Sequence, residues 1–525
     1  MATIVTIVTL LILPFFLEAT IKIGFSRPDE KRHVAFYLLT PVTSLLVYLT
    51  LAALLGHPGI TFIGWLFVYA GLAAVSNVKN RVLGEPICAP DLETARHLFI
   101  YPEFYVDYVG AKRVVAIFGS FALAVILACT LETSFVSHQS LLPAPAAWAL
   151  GLLGWMIALY LLARISSRVL THARARSLGL TFDINTDTAR FGYFPLMLLY
   201  GLLLMDRSEP AAPDTSHPPL SHKGKPGGPP DIIAFQAESY FDIDRLYRRI
   251  PGYEDHTWPA LDGLRKNGVS ADLLHVPAWG ASTMQSEFAF LSGIANENMG
   301  VDRINPYQRA AHTGIETIAT RLKSLGYRTV CVHPAKKEFF RRSSVIPKMG
   351  FDDFIGVEAF SGASRFGPYI SDEALGDLIE RTIADHKKTS DQPLFVFSIT
   401  IESHGPWDEG RLAPWLDEGV LAATDPTGDR SFAIYRQHMD NVLALFSRLG
   451  PEAAPDALKR PRTMALYGDH QPAFHDLFDR HGFTDSKVDY LLWHSGCQPE
   501  EHGALRVENL ADKLLEVAGF HTPQS

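Results

Sequence analysis

Apolar residues crowd the first 205 positions of this 525-residue chain. They form six runs, at about 2–21, 34–56, 59–77, 114–131, 146–163 and 191–205. A helix needs roughly 20 apolar residues to cross a bilayer, and most of these runs come close. Core helices of a soluble domain do not recur in this number with so few internal charges. The last run is short and contains Pro195, which also suits a segment lying along the membrane. The first run lacks a basic leading segment and a small-residue cleavage site, so it reads as a retained span and not a signal peptide.

Lysine and arginine in the short loops set the orientation. Loop 22–33 holds Lys22, Arg27, Lys31 and Arg32; loop 78–113 holds Lys79, Arg81, Arg96, Lys112 and Arg113. Loop 164–190 holds Arg164, Arg168, Arg174, Arg176 and Arg190, while 57–58 and 132–145 hold none. The alternation puts the basic loops in the cytoplasm, the N-terminus outside, and residue 207 outside after six spans. Five spans with the N-terminus inside also satisfy the charge rule; six is preferred because the first run is long and apolar. Within the third loop, Gly-Glu-Pro-Ile-Cys-Ala-Pro-Asp-Leu (84–92) reads as a turn with Asp91 capping a helix.

The chain thus divides into a transmembrane domain over 1–206, a Pro/Gly-rich linker over 207–230 and an extracytoplasmic domain over 231–525. From 231 onward, short apolar strands alternate with amphipathic helices. Helices are expected at 315–325, 372–386, 435–449 and 507–518, and strands at 328–332, 394–401, 463–467 and 488–493. This alternation implies one α/β domain with a largely parallel sheet. The net charge of −9, with no basic patch interleaved with aromatics, argues against nucleic-acid binding. Cys88, Cys129, Cys331 and Cys497 form no CxxC pair, so no zinc cluster is expected. Cys331 and Cys497 could pair, although two buried free thiols is the preferred reading.

Four stretches place chemistry at strand ends. Asp-Ile-Ile-Ala-Phe-Gln-Ala-Glu-Ser (231–239) ends near Glu238. Leu-Phe-Val-Phe-Ser-Ile-Thr-Ile-Glu-Ser-His-Gly-Pro-Trp (394–407) carries His404 just past a strand. Thr-Met-Ala-Leu-Tyr-Gly-Asp-His (463–470) ends in Asp469 and His470. The fourth, Gly-Ala-Ser-Thr-Met-Gln-Ser-Glu-Phe (280–288), puts Thr283 at or next to a helix N-terminus, where backbone N–H groups favour an anion. By itself such a threonine is a helix cap. Together the stretches set hard ligands and a nucleophile where α/β folds build their sites.

In this order the four stretches resemble the membrane phosphoglycerol transferases of the lipoteichoic acid synthase and periplasmic-glucan type, within the alkaline phosphatase and sulfatase superfamily. The resemblance covers about 231–515. It implies a transmembrane helical bundle followed by a sulfatase-like α/β domain outside the bacterial plasma membrane. It also implies one divalent metal on Glu238, Thr283, Asp469 and His470, with Thr283 as the nucleophile. Three oxygen-bearing side chains and one imidazole suit Mn²⁺ first, with Zn²⁺ or Mg²⁺ as alternatives. Metal coordination and a helix N-terminus both favour the threonine alkoxide.

His404 matches an active-site histidine of the family, with head-group binding or proton transfer as its expected work. His333 matches a second, and Arg342 a position suited to bidentate phosphate recognition. Three residues depart from the lipoteichoic acid enzymes: Phe340 replaces Trp, Ala335 a polar acidic residue, and Ser343 an Asp. The implied activity takes a phosphatidylglycerol-like lipid as donor and an envelope glycan or polymer as acceptor. Alternatives are a phosphoethanolamine transferase acting on lipid A or a glycan, a sulfatase-like phosphodiester hydrolase, and a non-enzymatic membrane partner. A formylglycine sulfatase is rejected, because Cys88-Ala-Pro-Asp-Leu lacks the required Arg and lies in a cytoplasmic loop. The complete Glu/Thr/Asp/His set argues against a decayed domain.

Overall fold

A computed structural model describes residues 2–25, 28–94, 144–205, 220–222, 228–310, 315–409, 425–453, 460–496 and 500–521, with four positions between 119 and 126. The chain forms two compact units, Met1–Ala211 with Gly300–Ile304, and Ala212–Met299 with Asn305–Ser525.

The first unit is helical: α1 (Ala2–Thr20), α2 (Val34–Leu55), α3 (Pro58–Leu83), α4 (Asp91–Thr94), α5 (Ala144–Val169), α6 (His172–Ser177), α7 (Ile184–Phe191) and α8 (Tyr193–Met205). Among the described residues, three helices are long and apolar enough to cross a membrane: Val34–Leu55, Pro58–Leu83 and Trp148–Val169. The α7–α8 pair adds a fourth candidate if it is one broken span, bent by 120°. The expected run 114–131 lies almost wholly outside the described residues, as does most of the expected linker.

The α7–α8 break falls at Gly192, whose φ of +84° suits glycine. A β-carbon there would meet the Phe36 ring at 2.5 Å. Glu18 from α1 accepts the Tyr193 and Phe194 amides, each at 2.8 Å, and so places a carboxylate on the exposed donors of α8. The 84–92 loop is held by Lys79, whose ammonium lies 2.8 Å from both Glu85 and Asp91. Asp91 also accepts the Cys88 amide at 2.8 Å. Residues Val301 and Ile304 are buried in this unit beside Tyr200 and Leu203.

The second unit is built on eight strands: β1 (Asp231–Ala237), β2 (Ser270–His275), β3 (Arg328–Val332), β4 (Asp353–Ile355), β5 (Leu394–Ile399), β6 (Arg462–Gly468), β7 (Val488–His494) and β8 (Leu505–Arg506). Their order across the sheet is β8-β2-β7-β6-β1-β5-β3-β4. β7 pairs antiparallel with both neighbours and every other pairing is parallel. β1, β5, β6 and β7 are buried at every residue, and their mostly apolar centres suit strands covered on both faces.

The helices that matter here are α9 (Thr283–Ser292), α10 (Arg342–Lys348), α11 (Asp372–Thr389), α12 (Arg430–Leu449) and α13 (Val507–Val517). Phe290 of α9 packs its ring 5.7 Å from Phe397 and 4.7 Å from Tyr467, which seats that helix over β5 and β6. Caps move the expected boundaries. Helix α12 starts at Arg430, well before the expected Tyr435, because Asp429 accepts the Phe432 amide. The helix expected from 315 spans Ile318–Ser324, because Thr317 and Thr320 form a reciprocal capping box. Cys331 is a buried free thiol, and Cys497 lies outside the described residues.

Gly468 closes β6 immediately before Asp469. A β-carbon on it would sit 2.0 Å from the Tyr240 carbonyl oxygen, a backbone atom that cannot swing aside. Gly468→Ala is expected to destabilise the protein by at least about 1–3 kcal/mol, as overpacking does. Denaturant unfolding of the purified protein measures this; an unchanged midpoint would mean that the strand end is slack.

Candidate active site

β1 lies between β6 and β5, with Ala237 opposite Gly468 and Gln236 opposite Ile399. The chain therefore leaves these parallel strands at one level. Glu238 and Asp469 come off adjacent strand ends, and His470 follows. Ligand atoms of these three buried side chains lie within 4.8 Å of one another. His470 Nε2 is 3.3 Å from Glu238 Oε1 and 3.4 Å from Asp469 Oδ2. The Gln471 carbonyl stands 2.9 Å from His470 Nδ1. A carbonyl only accepts, so Nδ1 carries the proton and Nε2 faces the carboxylates.

Backbone contacts hold each group. The Glu238 amide donates to Thr400 Oγ1 at 2.9 Å, and Ser403 Oγ donates to the Glu238 carbonyl at 2.8 Å. Asp469 Oδ1 accepts the amides of Ser239 and His470 at 2.8 and 2.9 Å. Its Oδ2 is buried and accepts no hydrogen bond. Ser239 itself takes a left-handed φ of +59°, and its carbonyl accepts the Tyr435 hydroxyl at 2.7 Å.

The electrostatics fit a cation. Burial and the neighbouring Glu238 charge push Asp469 up to about 7. Glu238 stays well below the usual carboxylate range: burial opposes its ionisation, but the His470 charge outweighs it. His470 is raised to about 9 despite burial, because both carboxylates favour its cation. An orphaned buried oxygen, a second buried carboxylate and an imidazole of fixed tautomer make a donor set suited to one divalent ion.

Thr283 is the first residue of α9, half-buried, and does not cap it. The cap position falls to Ser282, whose φ is +70° and whose side chain makes no capping bond. Gly280 donates its amide to the Gln471 carbonyl at 3.1 Å, and Ser286 donates its hydroxyl to the Asp469 carbonyl at 2.5 Å. The helix start is thereby fastened to the strand end beside it. The Thr283 hydroxyl is near enough to the Asp469 carboxylate to favour its charged form.

Next to this group, His333 follows β3 and Arg342 opens α10. Arg342 is buried, and its Nη2 donates to Glu287 Oε2 at 2.7 Å. The fork that the sequence assigns to phosphate is thus occupied by a carboxylate. Its Nη1 faces His333 Nε2 at 3.2 Å, and His333 Nδ1 faces the Ile399 carbonyl at 3.0 Å. Burial and the Arg342 charge hold His333 down to about 3, so this ring is neutral. Phe340 is half-buried and places its ring 5.3 Å from the Arg342 guanidinium. Phe340 and Arg341 both take left-handed φ, at +52° and +59°. His404 is half-buried, with Nδ1 2.9 Å from the Gly405 carbonyl.

Sequence reasoning missed Glu287, Tyr307 and the support of the His404 loop. That support is Glu402, whose Oε1 accepts His438 Nδ1 at 3.0 Å and Asn441 Nδ2 at 2.7 Å. Its Oε2 accepts the Asp372 amide at 2.7 Å. Glu287 and Glu402 each lie inside a quoted stretch, one turn past Thr283 and two residues before His404. Their burial was the missing information.

An α/β sheet with acidic and imidazole side chains gathered at the carboxyl ends of its strands suits metal-assisted chemistry, and a match to the sulfatase family places it in the alkaline phosphatase superfamily. A sequence model of the sulfatase family matches residues 230–520, and the chain belongs to that family. The capsular polysaccharide biosynthesis protein RkpI of Rhizobium meliloti is 26% identical over 509 residues, covering 92% of this chain and 86% of that protein. A cyclic beta-1,2-glucan modification protein of the same organism is 26% identical over 332 residues, covering 58% of this chain and 47% of that one. The lipooligosaccharide phosphoethanolamine transferase EptA of Neisseria meningitidis shares the fold, with a TM-score of 0.54 at 11% identity over 93% of this chain and 90% of that one.

Metal ligation here would require a neutral His470 and an ionised Asp469, both of which hold protons more tightly than usual. Mn²⁺ binding is therefore expected to release protons at pH 7 and to strengthen as pH rises from about 6 to 9. Calorimetry in buffers of different ionisation enthalpy reads the proton count. Binding with no proton release would remove these two residues from the ligand set.

Proposed function

We propose that the protein is a phosphoglycerol transferase that moves glycerol phosphate from a phosphatidylglycerol-like lipid to an envelope glycan or polymer. The observation that carries this reading is Thr283, a hydroxyl at the first position of α9, set near Asp469 beside Glu238 and His470. The motif resemblance and the glucan-modifying and capsular relatives support the donor and acceptor classes.

Thr283 Oγ attacks the lipid phosphorus, and the bond to the diacylglycerol oxygen breaks. Thr283 gives its proton to solvent on the way to attack and regains one when the acceptor displaces it. His404 gives a proton from Nε2 to the departing diacylglycerol oxygen. The neutral ring, with Nδ1–H on the Gly405 carbonyl, then takes a proton from the acceptor hydroxyl as that oxygen displaces Thr283. Two displacements replace one and need no nucleotide. A divalent cation on Glu238, Thr283, Asp469 and His470, Mn²⁺ first with Zn²⁺ or Mg²⁺ as alternatives, would acidify the threonine and neutralise phosphate charge. His333, Arg342 and Phe340 would line the head-group side.

The experiment follows diacylglycerol released from labelled phosphatidylglycerol. Thr283→Ala should abolish release, and Thr283→Ser should retain part of it. Wild-type protein caught in turnover should carry a phosphoglycerol adduct on the Thr283 peptide. Release by Thr283→Ala at the wild-type rate would sink the nucleophile assignment. Consumption of phosphatidylethanolamine instead would favour the phosphoethanolamine reading.

The same reading puts the catalytic domain outside the plasma membrane, after six spans with the N-terminus outside. Ala2→Cys should react with an impermeant thiol reagent in intact spheroplasts. Labelling only after permeabilisation would favour five spans.

A further inference from the structure

Glu287 is a fully buried carboxylate that the proposed reaction does not use. It lies one helical turn beyond Thr283, on the same face of α9. Glu287 Oε2 accepts Arg342 Nη2 at 2.7 Å, and Oε1 faces Arg342 Nε at 3.5 Å. Oε1 also accepts a short hydrogen bond from the Tyr307 hydroxyl. One edge of the guanidinium is thereby spent on Glu287. Its remaining nitrogen, Nη1, meets His333 Nε2 at 3.2 Å, and His333 Nδ1 meets the Ile399 carbonyl at 3.0 Å. Arginine only donates and a carbonyl only accepts, so this chain of contacts fixes His333 as the neutral Nδ1–H tautomer.

We propose that Glu287 is a positioning residue that sets the plane of Arg342 and, through it, the proton placement of His333. Because Glu287 and Thr283 share α9, the Arg342–His333 pair is held at a fixed distance from the attacking oxygen. A tilt of the guanidinium would misplace both the donor edge of Arg342 and the lone pair of His333. Neutralising Glu287 should act on substrate placement before it acts on chemistry.

The kinetic part of the test rests on the phosphoglycerol transfer reading; the spectroscopic part does not. Full-length protein is used throughout. Glu287→Gln should raise KM for phosphatidylglycerol by about tenfold, the size of a typical coupling in a buried network, with a much smaller change in kcat. Arg342→Met should raise KM at least as much. Adding Glu287→Gln to Arg342→Met should raise it no further, because Glu287 acts through Arg342. A merely structural glutamate would give additive effects in that pair, and additivity overturns the proposal. If Glu287→Gln alone does not fold, Arg342→Met and the double variant decide between them, since the double variant buries neither charge. Nitrogen-15 histidine spectra, with His333 assigned by its loss in His333→Gln, read the ring without substrate. Wild type should show the Nδ1–H tautomer, and a variant lacking Glu287, alone or with Arg342→Met, should show a changed proton placement. An unchanged ring overturns the proposal even if phosphatidylglycerol proves not to be the substrate.

Discussion

Two carboxylates stand side by side in a dry place because β1 and β6 are adjacent, parallel and in register. Ala237 lies opposite Gly468, so the next residue on each strand, Glu238 or Asp469, faces the same small space. Two like charges about 4 Å apart repel by roughly 4 kcal/mol at the effective dielectric of a protein. The surrounding contacts read as answers to that repulsion. Amides from Ser239 and His470 converge on one Asp469 oxygen, and the His470 ring is held so that Nε2 faces both acids. The other Asp469 oxygen is left without a hydrogen bond, in the direction of His470 and Thr283.

Holding this arrangement strains the chain. Among the described residues of the second unit, the non-glycine residues with left-handed φ are Ser239, Ser282, Phe340 and Arg341. Ser239 follows Glu238, Ser282 precedes Thr283, and Phe340 and Arg341 lead into Arg342. Each such conformation costs about 1–3 kcal/mol. Their confinement to four of the eight residues singled out from sequence, or to their neighbours, ties strain to the site and not to loops at large. Tertiary contacts absorb it: Tyr435 bonds the Ser239 carbonyl, and Gly280 and Ser286 fasten the turn around Ser282 to the end of β6.

Much of this was legible because an α/β sheet writes its site at strand ends. The run 232–235 is wholly apolar, and the turn to polar residues that ends in Glu238 and Ser239 marks the point where the strand leaves the core. The parts that were not legible depend on partners far along the chain. Glu287 reads as the polar face of a helix until Arg342 arrives from 55 residues away. Glu402 gains its meaning from His438, 36 residues on. In the helical unit, Pro195 drew attention to a short run, but the break lies at Gly192 and is stabilised by Glu18, more than 170 residues earlier. A lone glutamate in an apolar run gives no hint that it will cap another helix.

The charge balance of the second unit's site constrains the order of events there. Glu238, Asp469 and Glu287 are three buried carboxylates, and the basic groups paired directly with them are Arg342 and a protonated His470. His333 adds nothing, because burial and Arg342 keep it neutral. A phosphodiester anion would meet a site that is already net negative. A divalent cation that displaced the His470 proton would bring the same site to neutrality, and the helix N-terminus at Thr283 would then tip the potential in favour of the anion. Tight pairing of Arg342 with Glu287 sharpens this requirement, since a guanidinium whose charge is already matched cannot recruit phosphate alone. On the proposed phosphoglycerol-transfer reading a cation would therefore bind before the lipid head group, and the departures at Ala335 and Ser343, each an uncharged residue where the resembling enzymes carry an acid, would lighten the negative load for it to offset.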